Sequence, residues 1–385
     1  MNIIRKGKPE SGSANQIFKM MRKKRTDEDL VFDVGRMPRK ILEKLLIICG
    51  RVGNENETKY KSKAKELGID FIVEERSSWV FTHKTIKENF EPKKHEAVLL
   101  IGNNRELPGT QIAYEGAYAW SDYFFQDSDG DNIPDIPVGR IYGSPETVLY
   151  HIDPLIIDSN IAVVFDSQPG RSMRHVDSLV SLGFDVEVLK RYTPEEEKLL
   201  SVSEFILQFS DGVFTSRIHG TPEQWASHNS VILSYKQAQS IKFEGYPVVY
   251  SEACSTAQDG PLLKAFLSQG ACYIGATLDT VNNIEAFDDW RDCSYCDGWK
   301  FGFLDYLDTF DHIGQVKVGV DAELYKRLSE GVKQELEAVR LGTNSEITSE
   351  NALTVIEWIL FGNPLRRTTV GPNADFTPGR LIVDT

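Results

Sequence analysis

The chain has 385 residues, 41 % of them hydrophobic and 26 % charged. That is enough apolar material for two or three units with cores of their own, and it excludes wholesale disorder. Mean hydropathy is −0.31, and no apolar run approaches the ~20 residues a membrane span needs.

Net charge is −14, unevenly spread. Residues 1–25 hold eight Lys/Arg against the single acid Glu10, a net of +7, which leaves −21 on the other 360 residues. An acidic body argues against nucleic acid as the main partner, because phosphate attraction dominates that affinity. The basic arm reads as a solvated tail, with docking on the acidic body or an anionic partner as the alternatives. The first apolar stretch, Leu45–Cys49, comes too late and is too short for a signal peptide. The chain therefore reads as cytoplasmic or as the trimmed form of an exported protein.

Residues 1–40 are basic and poorly periodic, and are expected to be an extension. Leu45-Leu46-Ile47-Ile48 predicts a strand, Lys59–Leu67 a helix stopped by Gly68, and Phe71-Ile72-Val73 and Ala97–Ile101 further strands. Ile161–Phe165 predicts a strand, His175–Leu182 a helix ending at Gly183, Val186–Leu189 a strand, and Pro194–Phe209 a helix with proline at its start. Val213–Ile218, Pro247–Tyr250 and Ala271–Ala276 are three more apolar runs. Val320, Leu324, Leu328, Val332, Leu336 and Val339 recur at three- and four-residue steps, as one stripe on one long helix. Continuous apolar strands separated by helices predict parallel sheets covered on both faces. The expected units are an extension over 1–40, an N-terminal α/β subdomain over 41–112, a second α/β subdomain over 113–365 and a tail over 366–385.

Five cysteines, an odd and sparse set, do not form a disulfide framework. Cys49 and Cys272 lie in apolar runs and read as buried small hydrophobes. Cys293 and Cys296 make one C-x-x-C, weak evidence for zinc without a second pair. Cys254 differs. Pro247–Ser251 runs into Glu252-Ala253-Cys254, and Val213–Ile218 runs into His219-Gly220. Parallel strands present their carboxyl ends at one edge, where ligands bind. If the two strands are neighbours, Cys254 as nucleophile and His219 as acid and base share a crevice. The N–H groups of Gly220 and Cys254 are the natural donors to a developing oxyanion.

Asp127-Ser128-Asp129-Gly130-Asp131-Asn132-Ile133-Pro134-Asp135 places carboxylates at positions 1, 3, 5 and 9. Four side chains, the Ile133 carbonyl and water suit calcium, which takes six to eight oxygens. The twelfth position is Val138 rather than the glutamate of an EF-hand. The alternative is a polar surface turn. Trp290, Tyr295 and Trp299 follow Cys254 closely and suit either a slot for a long basic side chain or ordinary core packing.

The His-Gly and Glu-Ala-Cys pair resembles the caspase-like clan of cysteine peptidases. Ser121-Asp122-Tyr123-Phe124-Phe125, Asp135–Ile141 and Leu360-Phe361-Gly362-Asn363-Pro364-Leu365 narrow the resemblance to the gingipain family. The family pattern has aspartate where this chain has Asn363. The resemblance implies a caspase-like three-layer α/β/α sandwich of mostly parallel sheets in two subdomains. It implies a cysteine endopeptidase that hydrolyses a polypeptide substrate through a thioester at Cys254, with His219 as its partner. Asp122, or else Glu252, would orient His219. Asp131 matches the family's pocket aspartate, which would select Arg or Lys before the cut and competes with its role as a calcium ligand. Glu252, Trp290 and Trp299 complete the expected substrate-binding set. A catalytically silent, calcium-binding module of the same fold is the alternative, and a non-proteolytic hydrolase or acyltransferase using the same dyad is a third reading.

Overall fold

Ten strands form one sheet in the computed structural model, which describes residues 34–157, 159–166, 173–190, 206–216, 218–227, 231–280 and 296–367. In chain order the strands are β1 (Val34–Arg36), β2 (Leu45–Cys49), β3 (Asp70–Val73), β4 (Ala97–Ile101), β5 (Thr110–Tyr114), β6 (Ala117–Ser121), β7 (Val138–Ile141), β8 (Leu155–Ile157) and β9 (Ile161–Asp166). They continue as β10 (Asp185–Lys190), β11 (Gly212–Ser216), β12 (His219–Thr221), β13 (Gln224–Ala226), β14 (Val231–Ser234), β15 (Val248–Ser251), β16 (Cys272–Ala276), β17 (Glu346–Ile347) and β18 (Trp358–Phe361). The longer helices are α1 (Asn54–Leu67), α2 (Trp79–Asn89), α3 (Pro145–Ile152), α4 (Met173–Ser181), α5 (Pro261–Ser268), α6 (Cys296–Leu307), α7 (Ile313–Arg327), α8 (Glu330–Arg340) and α9 (Glu350–Ile356).

The large sheet runs β10-β9-β11-β15-β16-β18-β7-β4-β2-β3. Every neighbouring pair is parallel except β16 and β18, which are antiparallel. Two parallel halves of five strands therefore point in opposite directions. The carboxyl ends of β11, β15 and β16 share an edge with the amino ends of β18 and β7. This is a mixed α/β fold built on a large, mostly parallel sheet. No helix among the described residues is long and apolar enough to cross a membrane.

The alternation of strand side chains explains the buried runs. Leu45, Ile47, Leu99 and Ile101 join the principal core on one face. Leu46, Ile48, Val98 and Leu100 join a second cluster with Ile86 of α2 and Phe125 on the other. Gly68 closes α1 in the left-handed conformation at φ 79°, as its place in the sequence predicts.

The single long helix expected through the Val320–Val339 stripe is a correction. It is two helices, α7 and α8, because Leu328 and Ser329 take extended ψ values of 143° and 156°. The stripe survives the break, since Val320, Leu324, Leu336 and Val339 remain buried on both sides of it. The helix expected over Pro194–Phe209 lies outside the described residues as far as residue 205. Asn363 serves the fold: its Nδ2 donates to the His151 carbonyl at 3.3 Å, and its Oδ1 accepts the Leu365 N–H at 3.0 Å.

Candidate reactive-thiol site

β15 lies between β11 and β16 in parallel register, so the turn that carries Cys254 leaves the middle of the sheet's edge. The turn is held by a chain of hydroxyls. Trp225 Nε1 donates to Ser251 Oγ at 3.0 Å, Ser251 and Thr256 hydroxyls meet at 2.9 Å, and Thr256 Oγ1 donates to the Ala253 carbonyl at 2.9 Å. Ser255 takes φ 57°, a left-handed conformation that costs a residue with a Cβ roughly 1–2 kcal/mol and turns the chain sharply after Cys254. Glu252 N–H donates to Thr215 Oγ1 of β11 at 2.9 Å. The Glu252 carbonyl accepts the Thr280 hydroxyl at 3.0 Å.

His219 opens β12, the edge strand of a three-stranded antiparallel sheet β12-β13-β14, and is exposed. Gly220 brings this strand against the thiol turn. A Cβ on Gly220 would overlap the Cys254 carbonyl and stand 2.5 Å from Thr256 Cγ2 and 2.7 Å from Ala253 Cβ. Only glycine permits that approach.

The Cys254 thiol is half-buried. Its Sγ lies 3.4 Å from Thr280 Oγ1 and 3.8 Å from the Thr280 carbonyl. Burial pushes its pKa up, the Thr280 contacts oppose this, and the charges of Asp279 and Glu357 raise it further. Glu357, at the amino end of β18, is fully buried, and neither carboxyl oxygen meets a hydrogen-bond partner among the described residues. Its carbonyl accepts both the N–H and the hydroxyl of Thr277, at 3.0 and 3.1 Å. Burial, and then the charge of Asp279, hold its carboxyl well above the usual range. Beside the turn lies a cavity of about 850 Å³, bounded by Thr221–Gln224, Ala257–Pro261, Asn103–Arg105 and Tyr118–Trp120.

Several expected site residues are placed elsewhere. Asp122 does not orient His219: its two oxygens accept Arg140 Nε and Nη2, each at 2.7 Å, in a buried bidentate pair. Glu252 is 1 % exposed, so its side chain lines no open substrate pocket. Trp299 belongs to the core. It is buried, stacks on Trp358 at 4.5 Å, and donates its N–H to Asp321 Oδ1 at 2.7 Å. Trp290, Tyr295 and Cys293 lie outside the described residues.

The acidic loop enters β7 from the same edge as Cys254, with β16 and β18 between. Asp127, Asp129 and Asp131 bring one carboxylate oxygen each within 4.8 Å of one another. Asp135 is not among them; its oxygens accept the N–H and hydroxyl of Ser128, as both Asp127 oxygens accept the N–H groups of Gly130 and Asn132. Asp131 turns inward to its own loop, accepting the Ile133 N–H at 2.8 Å, which does not suit the floor of a pocket beside Cys254. Ile133 thus enters the loop's bonding through its N–H.

Sequence reasoning missed Thr280, Asp279 and Glu357. They stand near Cys254 only because β16 lies beside β15 and β18 beside β16, and no local motif marks them.

No family model matches the chain, and no curated protein matches it. Among solved structures it is similar to D-lactate dehydrogenase with NAD+ from Lactobacillus jensenii, at 10 % identity over 59 % of this chain and 76 % of that one, TM-score 0.18. It is similar to the NAD-complexed D-isomer specific 2-hydroxyacid dehydrogenase from Lactobacillus delbrueckii ssp. bulgaricus, at 10 % identity over 78 % and 99 %, TM-score 0.21. A fatty acid ABC transporter substrate-binding protein from Thermomonospora curvata matches at 10 % over 81 % and 79 %, TM-score 0.20. These neighbours are dehydrogenases and a transport protein, not proteases. The gingipain resemblance, and the cysteine endopeptidase it implied, are corrected accordingly. TM-scores this low carry no argument for the neighbours' own activities in this chain.

Proposed function

We propose that the chain performs covalent acyl chemistry at Cys254, as a hydrolase or acyltransferase. The observation that carries this is the seating of Gly220, next in the chain to His219, on the Cys254 turn at the carboxyl edge of three parallel strands. Cys254 Sγ attacks the acyl carbon and a thioester forms. The bond to the leaving group breaks, and that group departs with the thiol's proton, relayed by His219. Water or another acceptor then attacks the thioester, gives its proton to His219, and the thiol is restored. The N–H groups of Gly220 and Cys254 are the oxyanion donors of this reading.

The finer architecture, a three-layer sandwich of two caspase-like subdomains, belongs to the same proposal, and the reversal of strand direction at β16 and β18 supports it. So does calcium, in a reduced form. Asp127, Asp129 and Asp131 fit a hard cation, and Asp135 is not among them.

A second reading, a silent calcium-binding module, is favoured by the upward push on the Cys254 thiol. One experiment separates them. The protein is incubated with p-nitrophenyl acetate, quenched in acid and mapped by mass spectrometry. An acetyl group on Cys254, with turnover lost in Cys254→Ala and thioester release slowed in His219→Ala, supports the acyl reading. No acetyl on Cys254 refutes it and leaves the silent module.

A further inference from the structure

We propose that Thr280 is the positioning residue of the Cys254 sulfur, its hydroxyl moving from the Glu252 carbonyl to the sulfur when the thiol ionises. The inference rests on the reading of Cys254 as the nucleophile. A hydroxyl has one proton and two lone pairs. In the structure that proton is engaged with the Glu252 carbonyl at 3.0 Å. The lone pairs therefore face Cys254 Sγ at 3.4 Å and accept its S–H, with the Thr280 carbonyl as a second acceptor at 3.8 Å. Both contacts suit the neutral thiol.

Once the thiol proton leaves for His219, the sulfur becomes an acceptor. Rotation about one bond then redirects the Thr280 hydroxyl to the thiolate. The carbonyl of Glu252 gives up that bond and keeps its place, because the Glu252 N–H is tied to Thr215. The other titratable groups around the sulfur do not favour its charge. Asp279, 3.3 Å from Ser255 Oγ, and Glu357 at β18 both act against ionisation. Glu252 on the same turn is an acid, and His219 on β12 is the proton acceptor of the proposed reaction. Thr280 is thus the uncharged side chain placed to offset them.

The test measures alkylation of Cys254 by iodoacetamide from pH 6 to 11, quantified on the Cys254 peptide by mass spectrometry. The sulfur–carbon bond forms, iodide leaves and the thiol proton goes to solvent, so no substrate turnover is needed. Thr280→Val, which keeps the shape and removes the hydroxyl, is expected to slow alkylation about tenfold at pH 7. It should shift the pH profile up by about one unit, the size of one lost hydrogen bond to an anion. Thr280→Ser should restore the wild-type profile, and Thr280→Ala serves where valine disturbs the turn. A Thr280→Val profile that overlays the wild type overturns the proposal, as does a serine variant shifted as far as valine. Failure of acetylation at Cys254 with the Thr280 shift intact would refute the acyl reading alone.

Discussion

Replacing Asp122 by alanine is expected to unfold the protein far more readily while leaving the chemistry of Cys254 unchanged. Arg140 is 1 % exposed and has four short contacts: two to Asp122 at 2.7 Å, one to the Gly102 carbonyl at 2.8 Å and one to the Leu107 carbonyl at 2.7 Å. Asp122→Ala removes the only carboxylate of the set and leaves a buried cation with two neutral acceptors. Breaking one side of a buried pair costs about 3–5 kcal/mol, a large share of the roughly 5–15 kcal/mol by which a domain is stable. The assay is urea denaturation followed by tryptophan fluorescence, with iodoacetamide alkylation of Cys254 as the site readout. The midpoint should fall sharply. The alkylation rate, measured in the native baseline, should hold. A double variant, Asp122→Ala with Arg140→Met, should recover most of the loss by removing the orphaned cation. An unchanged midpoint combined with slowed thioester release would refute this reasoning and return Asp122 to His219.

Two further outcomes are expected. Glu357 sits well above the usual carboxyl range when folded, whereas unfolded it ionises near ~4.3, so the folded state holds an extra proton and loses stability as pH rises above that value, by about 1.4 kcal/mol per unit up to its folded pKa; Glu357→Gln should therefore melt higher than wild type at pH 8, the gain vanishing near pH 4, and coincident melts at pH 8 would contradict it. Calcium at a hundredfold excess over its dissociation constant should stabilise the fold by about 2.7 kcal/mol, with Asp129→Ala removing most of the gain; identical melting curves in chelator and in calcium, on metal-free protein, would reduce the loop to a polar turn.

The strands were legible because burial on both faces writes itself as continuous apolar runs, and Leu45–Cys49 and Ala97–Ile101 are wholly buried. The shared edge of the His-Gly and Glu-Ala-Cys segments was legible because parallel strands end together, and β11 and β15 are neighbours. The break between α7 and α8 was not legible, since Leu328 keeps the apolar spacing while its backbone leaves the helix. Nor was the fate of Asp122, whose partner Arg140 is 18 residues away on β7. Trp299 reads equally well as a wall or as core until its stacking on Trp358 is seen. For Asp122 and Trp299 the deciding contact is tertiary, and local pattern does not encode it.

The surroundings of Cys254 constrain how any reaction there must run. A thiolate standing ready at neutral pH needs nearby cations or donors, yet the thiol meets burial and two carboxyl groups, Asp279 and Glu357. On the proposed acyl reading, the nucleophile in this setting would be made within the reaction step, by a base that removes the proton as the sulfur attacks. Excluding water from the turn penalises a thiolate formed alone there. On the same proposed reading, the acid-lined turn would therefore couple ionisation of Cys254 to the arrival of a base.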